Sequence, residues 1–329
     1  MTASTSAGRR TGVPDATMYP TSTDPMYASG PLVADRVPES FDDRPYDMFT
    51  VAPMSPTIGA EISGIRLSGD LGGDLLAELR RALLEFKVLV FRGQDITTVE
   101  HREFAMLWGE VEQHPLLAHS RYRNQYEADV VRLAKDMNTA GIENNWHHDV
   151  SWSATPSFGA VLRAVEVPDV GGDTLWADTC AAYDLLPDDI KARIDPLVAE
   201  HDWINSFGKS MSPEAIESLR PGLPAVQHPV VRVIPETGRR ALFVNTLFTE
   251  RILGVSEEES DELLTMLYRH VQRPEFQVRL RWQPDTVAFW DNRTCQHYAS
   301  SDYFPKRRVM ERISIVGDRP IGTTRTSGG

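Results

Sequence analysis

The sequence predicts a mainly β fold, a β-sandwich or jelly roll with helices packed on its outside. Many short apolar runs are separated by turn residues, and alternating strand–helix–strand units are absent from the sequence pattern. The sequence also lacks a glycine-rich phosphate loop of either standard pattern. The chain has 329 residues, 41% of them hydrophobic, which is enough for one large domain or two small ones.

Composition divides the chain into three segments. Residues 1–47 are rich in Ser, Thr, Pro, Gly and Asp without a sustained apolar period, which predicts a disordered N-terminal arm. We expect residues 48–320 to form a single domain, and residues 321–329 to form a flexible polar tail.

Helices are predicted from apolar spacing and from capping signals. Leu75, Leu79 and Leu83 recur at helical spacing within residues 74–86. Capping-box pairs at Thr97/Glu100 and Ser256/Glu259 predict the starts of two further helices. Shorter helices are expected at 181–186 and 188–194, broken at Pro187, and an irregular insertion with a short helix at 206–225.

Strands are predicted where short β-prone runs lie between turn residues. The strongest case is a hairpin whose two strands flank Pro235–Gly238, with glycine where the turn requires it. The predicted strands are 87–91, 157–164, 174–176, 228–234, 239–245, 276–281, 286–290 and 308–316.

Charge and cysteine content exclude several kinds of partner. A net charge of −13 and a pI near 5.2 argue against nucleic acid and anionic membranes, since both bind basic surfaces. Cys180 and Cys295 are too few for a disulfide framework or a zinc cluster. Because no signal peptide and no membrane-spanning apolar run is found, we expect a cytoplasmic protein without nucleic-acid or membrane partners.

One stretch of the sequence contains candidate metal ligands: Asn145-Trp146-His147-His148-Asp149-Val150-Ser151-Trp152. If it is a β-strand, alternate side chains face opposite sides, so His147 and Asp149 share one face. Such a pair can bind one metal ion, and a third ligand would complete the two-histidine, one-carboxylate site that suits non-haem Fe(II). The pattern alone fits a polar rim beside a half-buried strand better than a metal site.

Two other histidines are candidate ligands. His101 and Glu103 lie in a predicted helix, where positions i and i+2 do not face each other, so they cannot bind one ion. His297 follows a predicted strand and enters a predicted loop. It is the expected third ligand, although a loop histidine with an ordinary surface hydrogen bond would fit the local pattern as well.

Two arginines stand on one face of the predicted strand 308–316. Arg308 and Arg312 are four residues apart, or about 13 Å at a rise of about 3.3 Å per residue. Apolar residues on both faces favour a strand that is covered on both sides, and a buried cation needs an anion beside it. The interior would then hold two anions; the alternative is a solvated face with two surface arginines.

Four runs of the sequence resemble the taurine dioxygenase family. They are 145–150, 171–176 (Gly-Gly-Asp-Thr-Leu-Trp), 290–299 (beginning Trp-Asp-Asn-Arg) and 302–312 (Asp-Tyr-Phe-Pro-Lys-Arg-Arg-Val-Met-Glu-Arg). They follow the family order with matching spacing over about residues 49–320. The resemblance implies an Fe(II)- and 2-oxoglutarate-dependent oxygenase that uses O2, built on a double-stranded β-helix, the cupin-like form of the jelly roll.

The resemblance also implies roles for individual residues. His147, Asp149 and His297 match the catalytic iron ligands. Arg308 matches the arginine that pairs with the distal carboxylate of 2-oxoglutarate, and Thr174 the threonine that assists it. The positions that match substrate contacts are Arg312, which holds the anionic group, together with His114, Phe207 and Phe248.

Two positions depart from the family pattern. Leu117 stands where the taurine enzyme has a tyrosine, and Glu143 stands where it has a pocket asparagine. A carboxylate repels a sulfonate but could bind an amine, so these departures argue against taurine as the substrate.

The resulting functional prediction is a dioxygenase that hydroxylates a small anionic organic molecule. A sulfonate, an alkyl sulfate or a carboxylate would fit, and sulfite or sulfate would leave where the oxidised carbon bears that group. The alternative is a non-catalytic jelly-roll module that binds a metal or an acidic ligand. The resemblance further implies a homo-oligomer.

Overall fold

The computed structural model describes residues 32–114, 116, 126–127, 130–141 and 143–323. Its strands are β1 (Thr50–Pro53), β2 (Ala60–Ser63), β3 (Val88–Phe91), β4 (Tyr126–Glu127), β5 (Val130–Lys135), β6 (Gly159–Glu166), β7 (Thr174–Asp178), β8 (Val198–His201), β9 (Val226–Pro229), β10 (Val231–Val233), β11 (Arg240–Leu242), β12 (Thr249–Leu253), β13 (Gln277–Leu280), β14 (Val287–Asp291), β15 (Cys295–Ala299), β16 (Arg308–Ile315) and β17 (Ile321–Gly322). Its α-helices are α1 (Gly73–Phe86), α2 (Thr98–Met106), α3 (Thr179–Asp184), α4 (Asp188–Ile194), α5 (Pro213–Leu219) and α6 (Glu257–Val271).

Two sheets form the sandwich that carries the site. The large sheet has the order β1-β2-β3-β14-β6-β16-β5-β4 and is antiparallel except between β2 and β3. The small sheet has the order β13-β7-β15. Ala160, Trp290 and Met310 of the large sheet share one buried cluster with Trp176 and Val278 of the small sheet. The inner faces of the two sheets therefore enclose the core, and the mainly β prediction is confirmed.

Helices cover the outer surfaces, as predicted. Leu79 and Leu83 of α1 pack with Phe104 of α2 against Phe91 and Phe289 of the large sheet. On the other side of the sandwich, α3 and α6 contribute to a second buried cluster. The apolar stripe of each amphipathic helix faces a sheet, which is why these segments are stable as helices.

The predicted capping signals are present at the starts of α2 and α6. The Glu100 amide donates to the Thr97 hydroxyl at 3.1 Å, and the Thr97 amide donates to the Glu100 carboxylate at 2.8 Å. Ser256 accepts from the Glu259 amide at 3.1 Å. The predicted break at Pro187, between α3 and α4, is also confirmed.

The prediction of a strand over 145–152 is wrong. His147 forms an isolated β-bridge with His297, and the chain then turns at residues 149–152. Val150 has φ of 54°, in the left-handed region, and its carbonyl accepts from the Ser153 amide at 2.9 Å. The prediction that His297 lies in a loop is also wrong, because it lies in the middle of β15.

The predicted hairpin is real but shorter than expected. β10 pairs with β11, whereas His228 belongs to β9, which pairs with β8 in another three-stranded sheet. Pro229 has no amide hydrogen to donate, which fits a strand end at that position. The apolar run 228–234 thus divides between two sheets.

Segments at both ends of the chain lie partly outside the described residues. Residues 1–31 and 324–329 are not described, so most of the predicted arm and tail remain predictions. Within the described part of the arm, Arg36 forms an ion pair with Glu85 at 3.2 Å, and the Tyr46 hydroxyl donates to Glu85 at 2.7 Å. The described residues include no helix with the length and apolarity needed to cross a bilayer.

Buried His101 of α2 should make stability depend on pH. Burial lowers its pKa from 6.5 to about 4, and its Nε2 lies 3.1 Å from the Val161 carbonyl oxygen. Because the folded-state pKa is depressed, the unfolded chain binds a proton first, and stability falls as the pH drops from 6.5 toward 4. We expect His101→Gln, which keeps an N–H donor, to remove about 2 kcal/mol of the loss between pH 7 and pH 5.

Urea unfolding of the wild type and of His101→Gln at pH 7 and pH 5 measures this difference. Equal losses in the two proteins would show that His101 does not carry the pH dependence. A third pair of measurements at pH 8, where both states hold neutral histidine, gives the pH-independent effect of the substitution.

Candidate active site

The three predicted metal ligands come together in the structure. The ligand atoms of His147, Asp149 and His297 all lie within 4.8 Å of one another, and all three residues are buried. Each histidine has its Nε2 3.8 Å from an oxygen of the Asp149 carboxylate. Among the described residues, no other group of three such side chains could hold a metal ion.

Backbone bonds fix the two histidines side by side. The His147 amide donates to the His297 carbonyl at 3.1 Å, and the His297 amide donates to the His147 carbonyl at 2.9 Å. This single bridge joins the end of an irregular segment to β15 and brings the ring centroids to 4.1 Å. The position of one ligand therefore sets the position of the other.

The histidines are suited to bind a metal through Nε2. The Nδ1 of His147 lies 2.8 Å from the Asn145 carbonyl oxygen, a geometry that places the proton on Nδ1 and the lone pair on Nε2. Burial lowers the pKa of His147, and burial with the nearby His147 ring lowers the pKa of His297 to about 3. Both rings are thus neutral, which is the form that binds metals.

Asp149 is positioned by Asn292, whose role the sequence did not reveal. The Asp149 amide donates to the Asn292 side-chain oxygen at 2.7 Å, and the Asn292 side-chain nitrogen donates to the Asp149 carbonyl at 3.0 Å. The same nitrogen donates to the Ser157 carbonyl at 3.0 Å. The fully buried side-chain amide of Asn292 therefore makes the hydrogen bonds to the Asp149 backbone that a neighbouring strand would make in a β-sheet. The sequence signal that could have identified Asn292 is its position directly after a buried strand.

Arg312 lies against the Asp149 carboxylate. Its guanidinium donates to Asp149 Oδ1 at 2.9 Å, while Oδ2 is buried without a hydrogen-bond partner among the described residues. Burial raises the pKa of Asp149, but the positive charge of Arg312 outweighs burial and holds the pKa well below its usual range. The carboxylate is therefore ionised, and Oδ2 points toward the group of ligands without a partner.

Both predicted cosubstrate residues and two of the predicted substrate residues, Arg312 and Glu143, share one cavity with the two histidine ligands. We call it the active-site cavity; its lining includes Lys135, Glu143, His147, Thr174, His297, Arg308 and Arg312. The prediction that Arg308 and Arg312 face the same interior is thus in agreement with the structure. The opposite face of β16 contributes Ile313 and Ile315 to the cluster under α1 and α2.

Arg308 is buried beside two groups that limit its movement. Its Nε donates to the Gly172 carbonyl at 3.1 Å, and its guanidinium lies 5.7 Å from the centroid of the Tyr303 ring. Gly172 has φ of 73°, and a Cβ there would lie 3.0 Å from the Arg308 side chain. Glycine is needed at position 172 for both reasons. Thr174, two residues further, accepts a hydrogen bond from Trp282 Nε1 at 2.9 Å.

Aromatic rings form a wall next to His147. Phe248 lies 6.2 Å from His147 between ring centroids, Phe207 stacks on Phe248 at 6.0 Å, and His114 lies 5.7 Å from Phe207. Trp152, which strand alternation would place on the face opposite His147, completes the wall at 5.8 Å from His114. Burial lowers the pKa of His114 to about 4, so this wall carries no charge near neutral pH. We call it the aromatic wall.

The structure describes only one of the two positions that depart from the family pattern. Leu117 lies outside the described residues. Glu143 lines the active-site cavity, and its carboxylate forms an ion pair with Lys135 at 2.7 Å. No sequence pattern marks Lys135 as this partner, because Lys135 lies at the end of β5 whereas Glu143 lies in the loop that follows.

The fold and the ligand set together define a class of protein. Two neutral histidines and one ionised carboxylate within a jelly roll are the donors that non-haem Fe(II) oxygenases use, because the set leaves open positions on the metal. The comparisons with known proteins identify the family within that class. The family model described as "Taurine catabolism dioxygenase TauD, TfdA family" matches residues 50–314. The chain therefore belongs to the TauD/TfdA family.

Individual relatives agree with this assignment. The chain is 37% identical over 284 residues to an alpha-ketoglutarate-dependent sulfate ester dioxygenase of Pseudomonas putida, covering 83% of this chain and 91% of the relative. It is 36% identical over 293 residues to an alkylsulfatase of Acinetobacter baylyi, covering 86% and 90%. A crystal structure of a taurine dioxygenase from Burkholderia xenovorans superposes with a TM-score of 0.71 at 35% identity, covering 84% and 94%.

These comparisons confirm four predictions. The family, the double-stranded β-helix, the enzyme class and the cofactors are as expected: the protein is a 2-oxoglutarate-dependent dioxygenase that uses Fe(II), 2-oxoglutarate and O2. Oxidation of a small anionic molecule, rather than ligand binding alone, is the activity that fits the family.

Proposed function

We propose that the protein oxidises alkyl sulfates at the carbon that bears the sulfate ester and so releases inorganic sulfate. In this proposal His147, Asp149 and His297 hold Fe(II), Arg308 and Thr174 hold the distal carboxylate of 2-oxoglutarate, and Arg312 holds the sulfate group. The observation that carries the substrate assignment is that Arg312 lines the cavity together with the two histidine ligands, with its guanidinium 2.9 Å from Asp149 Oδ1.

The ligand set fits Fe(II) in charge and in donor type. Two imidazole nitrogens and a carboxylate oxygen are available, and Asp149 Oδ2 has no other partner among the described residues. When bound, the iron with 2-oxoglutarate and O2 supplies the oxidising power for a C–H bond. The protein contributes binding, orientation and the exclusion of water around that bond.

Arg308 and Thr174 are suited to a carboxylate. Arg308 is only 6% exposed, and no described carboxylate forms an ion pair with it, so an anion from solution would compensate its buried charge. The Thr174 hydroxyl already accepts from Trp282, which leaves its own hydrogen available to donate. A guanidinium fork with an adjacent hydroxyl binds a planar carboxylate well.

The substrate side combines one cation with an apolar surface. Arg312 offers a permanent positive charge to a sulfate group. The aromatic wall of His114, Trp152, Phe207 and Phe248 stands beside His147 and can pack against an alkyl chain. Glu143 is already paired with Lys135, so it does not favour the amine of a zwitterion such as taurine. An anionic head with an apolar body matches these surroundings.

The overall reaction balances as follows. Alkyl sulfate, 2-oxoglutarate and O2 give the carbon-hydroxylated sulfate ester, succinate and CO2, with one oxygen atom in the new hydroxyl and the other in succinate. The carbon then carries both a hydroxyl and a sulfate group, and its C–O bond to sulfate breaks as the hydroxyl loses its proton. The products of that step are an aldehyde and hydrogen sulfate.

A substrate series tests the proposal. Linear alkyl sulfates, alkanesulfonates of equal length, taurine and phenoxyalkanoic acids are each supplied with Fe(II), 2-oxoglutarate and ascorbate, and sulfate, sulfite, aldehyde and succinate are measured. We expect kcat/KM for alkyl sulfates to exceed that for taurine by at least about 100-fold, since several methylenes at about 0.8 kcal/mol each can be buried on the aromatic wall. Equal or higher values for taurine or for the carboxylates would reject the assignment.

Further parts of the proposal concern setting and assembly. We propose that the enzyme is a cytoplasmic homo-oligomer of single-domain subunits, with no nucleic-acid or membrane partner. The acidic composition supports the part of this proposal that concerns nucleic acid and anionic membranes, because both bind basic surfaces. Size-exclusion chromatography with light scattering tests the assembly directly.

A further inference from the structure

An ion pair stands in the wall of the active-site cavity without a place in the activity proposed above. Lys135 Nζ lies 2.7 Å from Glu143 Oε1. The Lys135 side chain is 4% exposed, whereas that of Glu143 is 32% exposed. Both residues line the cavity beside Thr174 and Arg308. Burying an ammonium is costly, so its presence in this wall calls for a functional explanation.

Lys135 and Arg308 are direct neighbours across two strands. Lys135 ends β5 and Arg308 begins β16, and the two residues are Cα partners in the antiparallel pair. Side chains of directly opposed residues project from the same face of a sheet and start about 4.5–5.5 Å apart. Two cations therefore stand together at the end of the cavity that we assign to the distal carboxylate of the cosubstrate.

Glu143 supplies the negative charge that these cations share. Burial lowers the pKa of Arg308, and the neighbouring Tyr303 and Glu143 partly offset that effect. The carboxylate of Glu143 thus acts on Arg308 as well as on Lys135. With one Lys, one Arg and one Glu, this cluster carries one net positive charge, which matches one incoming carboxylate.

We infer that Lys135 and Glu143 set the affinity for the cosubstrate, Lys135 as a second cation for the distal carboxylate and Glu143 as an internal anion that opposes it. The inference rests on the proposed position of that carboxylate at Arg308. Its consequence is that the affinity for 2-oxoglutarate follows the net charge of the three side chains. Glu143 also holds the buried ammonium in place when no cosubstrate is bound.

Three variants separate the charge from the shape of the site. Lys135→Met leaves the cluster neutral, Glu143→Gln leaves it with two positive charges, and the double variant restores the single positive charge of the wild type. Methionine and glutamine are close in length to the residues that they replace. A merely structural ion pair would instead weaken binding in both single variants.

The measurement is the Kd of 2-oxoglutarate for the full-length protein loaded with Mn(II), determined by isothermal titration calorimetry. We expect an increase of at least about tenfold for Lys135→Met and a decrease of about threefold or more for Glu143→Gln, because each substitution removes one unit charge near the distal carboxylate and solvent in the cavity screens part of its effect. The double variant should return to within about threefold of the wild type. Raising the salt concentration should reduce each difference.

Several outcomes would overturn the inference. They are shifts of the same sign in both single variants, unchanged values in both, or a double variant that binds no better than Lys135→Met. A larger change in the KM of an alkyl sulfate than in the Kd of 2-oxoglutarate would also overturn it, because Glu143 would then act on the substrate.

Arg308→Met distinguishes failure of the inference from failure of the proposed site. If this variant binds 2-oxoglutarate as tightly as the wild type, the distal carboxylate does not lie at Arg308 and the site assignment fails. If Arg308→Met loses binding while the Lys135 and Glu143 variants change nothing, the site assignment holds and only the inference fails. Melting temperatures without cosubstrate show that each variant is folded.

Discussion

Replacing Asp149 with asparagine is expected to abolish turnover and to weaken metal binding by more than about 100-fold. Loss of a residue that only orients a metal ligand costs roughly 10- to 100-fold, and Asp149 is itself the anionic ligand in our assignment. Asparagine keeps the size of the side chain, and the backbone bonds with Asn292 do not involve the carboxylate. The fold should therefore survive, and titration of Fe(II) or Co(II) measures the loss.

Asp195→Asn is a matched control for this experiment. Asp195 also forms an ion pair with an arginine, with 2.7 Å to Arg240, but it lies outside the metal group. It should bind metal and turn over as the wild type does. If Asp149→Asn bound metal with unchanged affinity, the ligand assignment would be rejected.

Replacing Arg312 with methionine is expected to raise the substrate KM by about 100-fold or more. Hydrogen bonds to a charged group contribute about 1.5–3 kcal/mol each, and a guanidinium can make two to one sulfate group. Conversion of 2-oxoglutarate to succinate in the absence of substrate should persist, because Arg308 and Thr174 are unchanged. Succinate formation and substrate consumption, measured separately, give the ratio of the two activities.

Arg312→Lys controls for the contact between Arg312 and Asp149. Lysine keeps the positive charge beside the carboxylate but loses the planar fork, so we expect about a tenfold rise in KM with little change in metal affinity. If the methionine variant lost both activities equally, Arg312 would act through the metal centre and not through the substrate.

Sequence patterns selected three side chains that do come together in the structure, but through a partly wrong structural argument. Alternation along a strand placed His147 and Asp149 on one face, but the chain turns at Val150 and only His147 forms a bridge. The side chains of two residues with one residue between them can also approach each other where the chain turns after the first residue. The residue types were therefore more informative than the assumed geometry.

Contacts between distant segments were the part that sequence patterns could not supply. Lys135 and Glu143 are eight positions apart, and no local period marks them as partners, yet the loop between them returns to form an ion pair. Asn292, which directly follows β14, is 143 positions from Asp149, and no periodic pattern pairs residues that are so far apart. The contact of Trp152 with His114 was also not predictable from strand alternation, because the chain turns at residues 149–152.

Regular elements were predicted best where one local signal decides the structure. The capping pair at Thr97 and the apolar stripe of α6 depend on residues three or four positions apart. The prediction of one strand over 228–234 was wrong because this run is divided between two sheets. That division depends on pairing with β8 and β11, which lie elsewhere in the sequence.

The bridge between His147 and His297 has a consequence for how the enzyme acquires its ion. Both histidines are fixed by main-chain bonds to each other, and Asp149 is fixed by Asn292, which lies five residues before His297. The segment 292–297, which links β14 of the large sheet to β15 of the small sheet, thus preorganises the three candidate ligands before any ion arrives. Uptake should then require no refolding, so that its speed is governed by diffusion into the cavity and by shedding of water from the incoming cation.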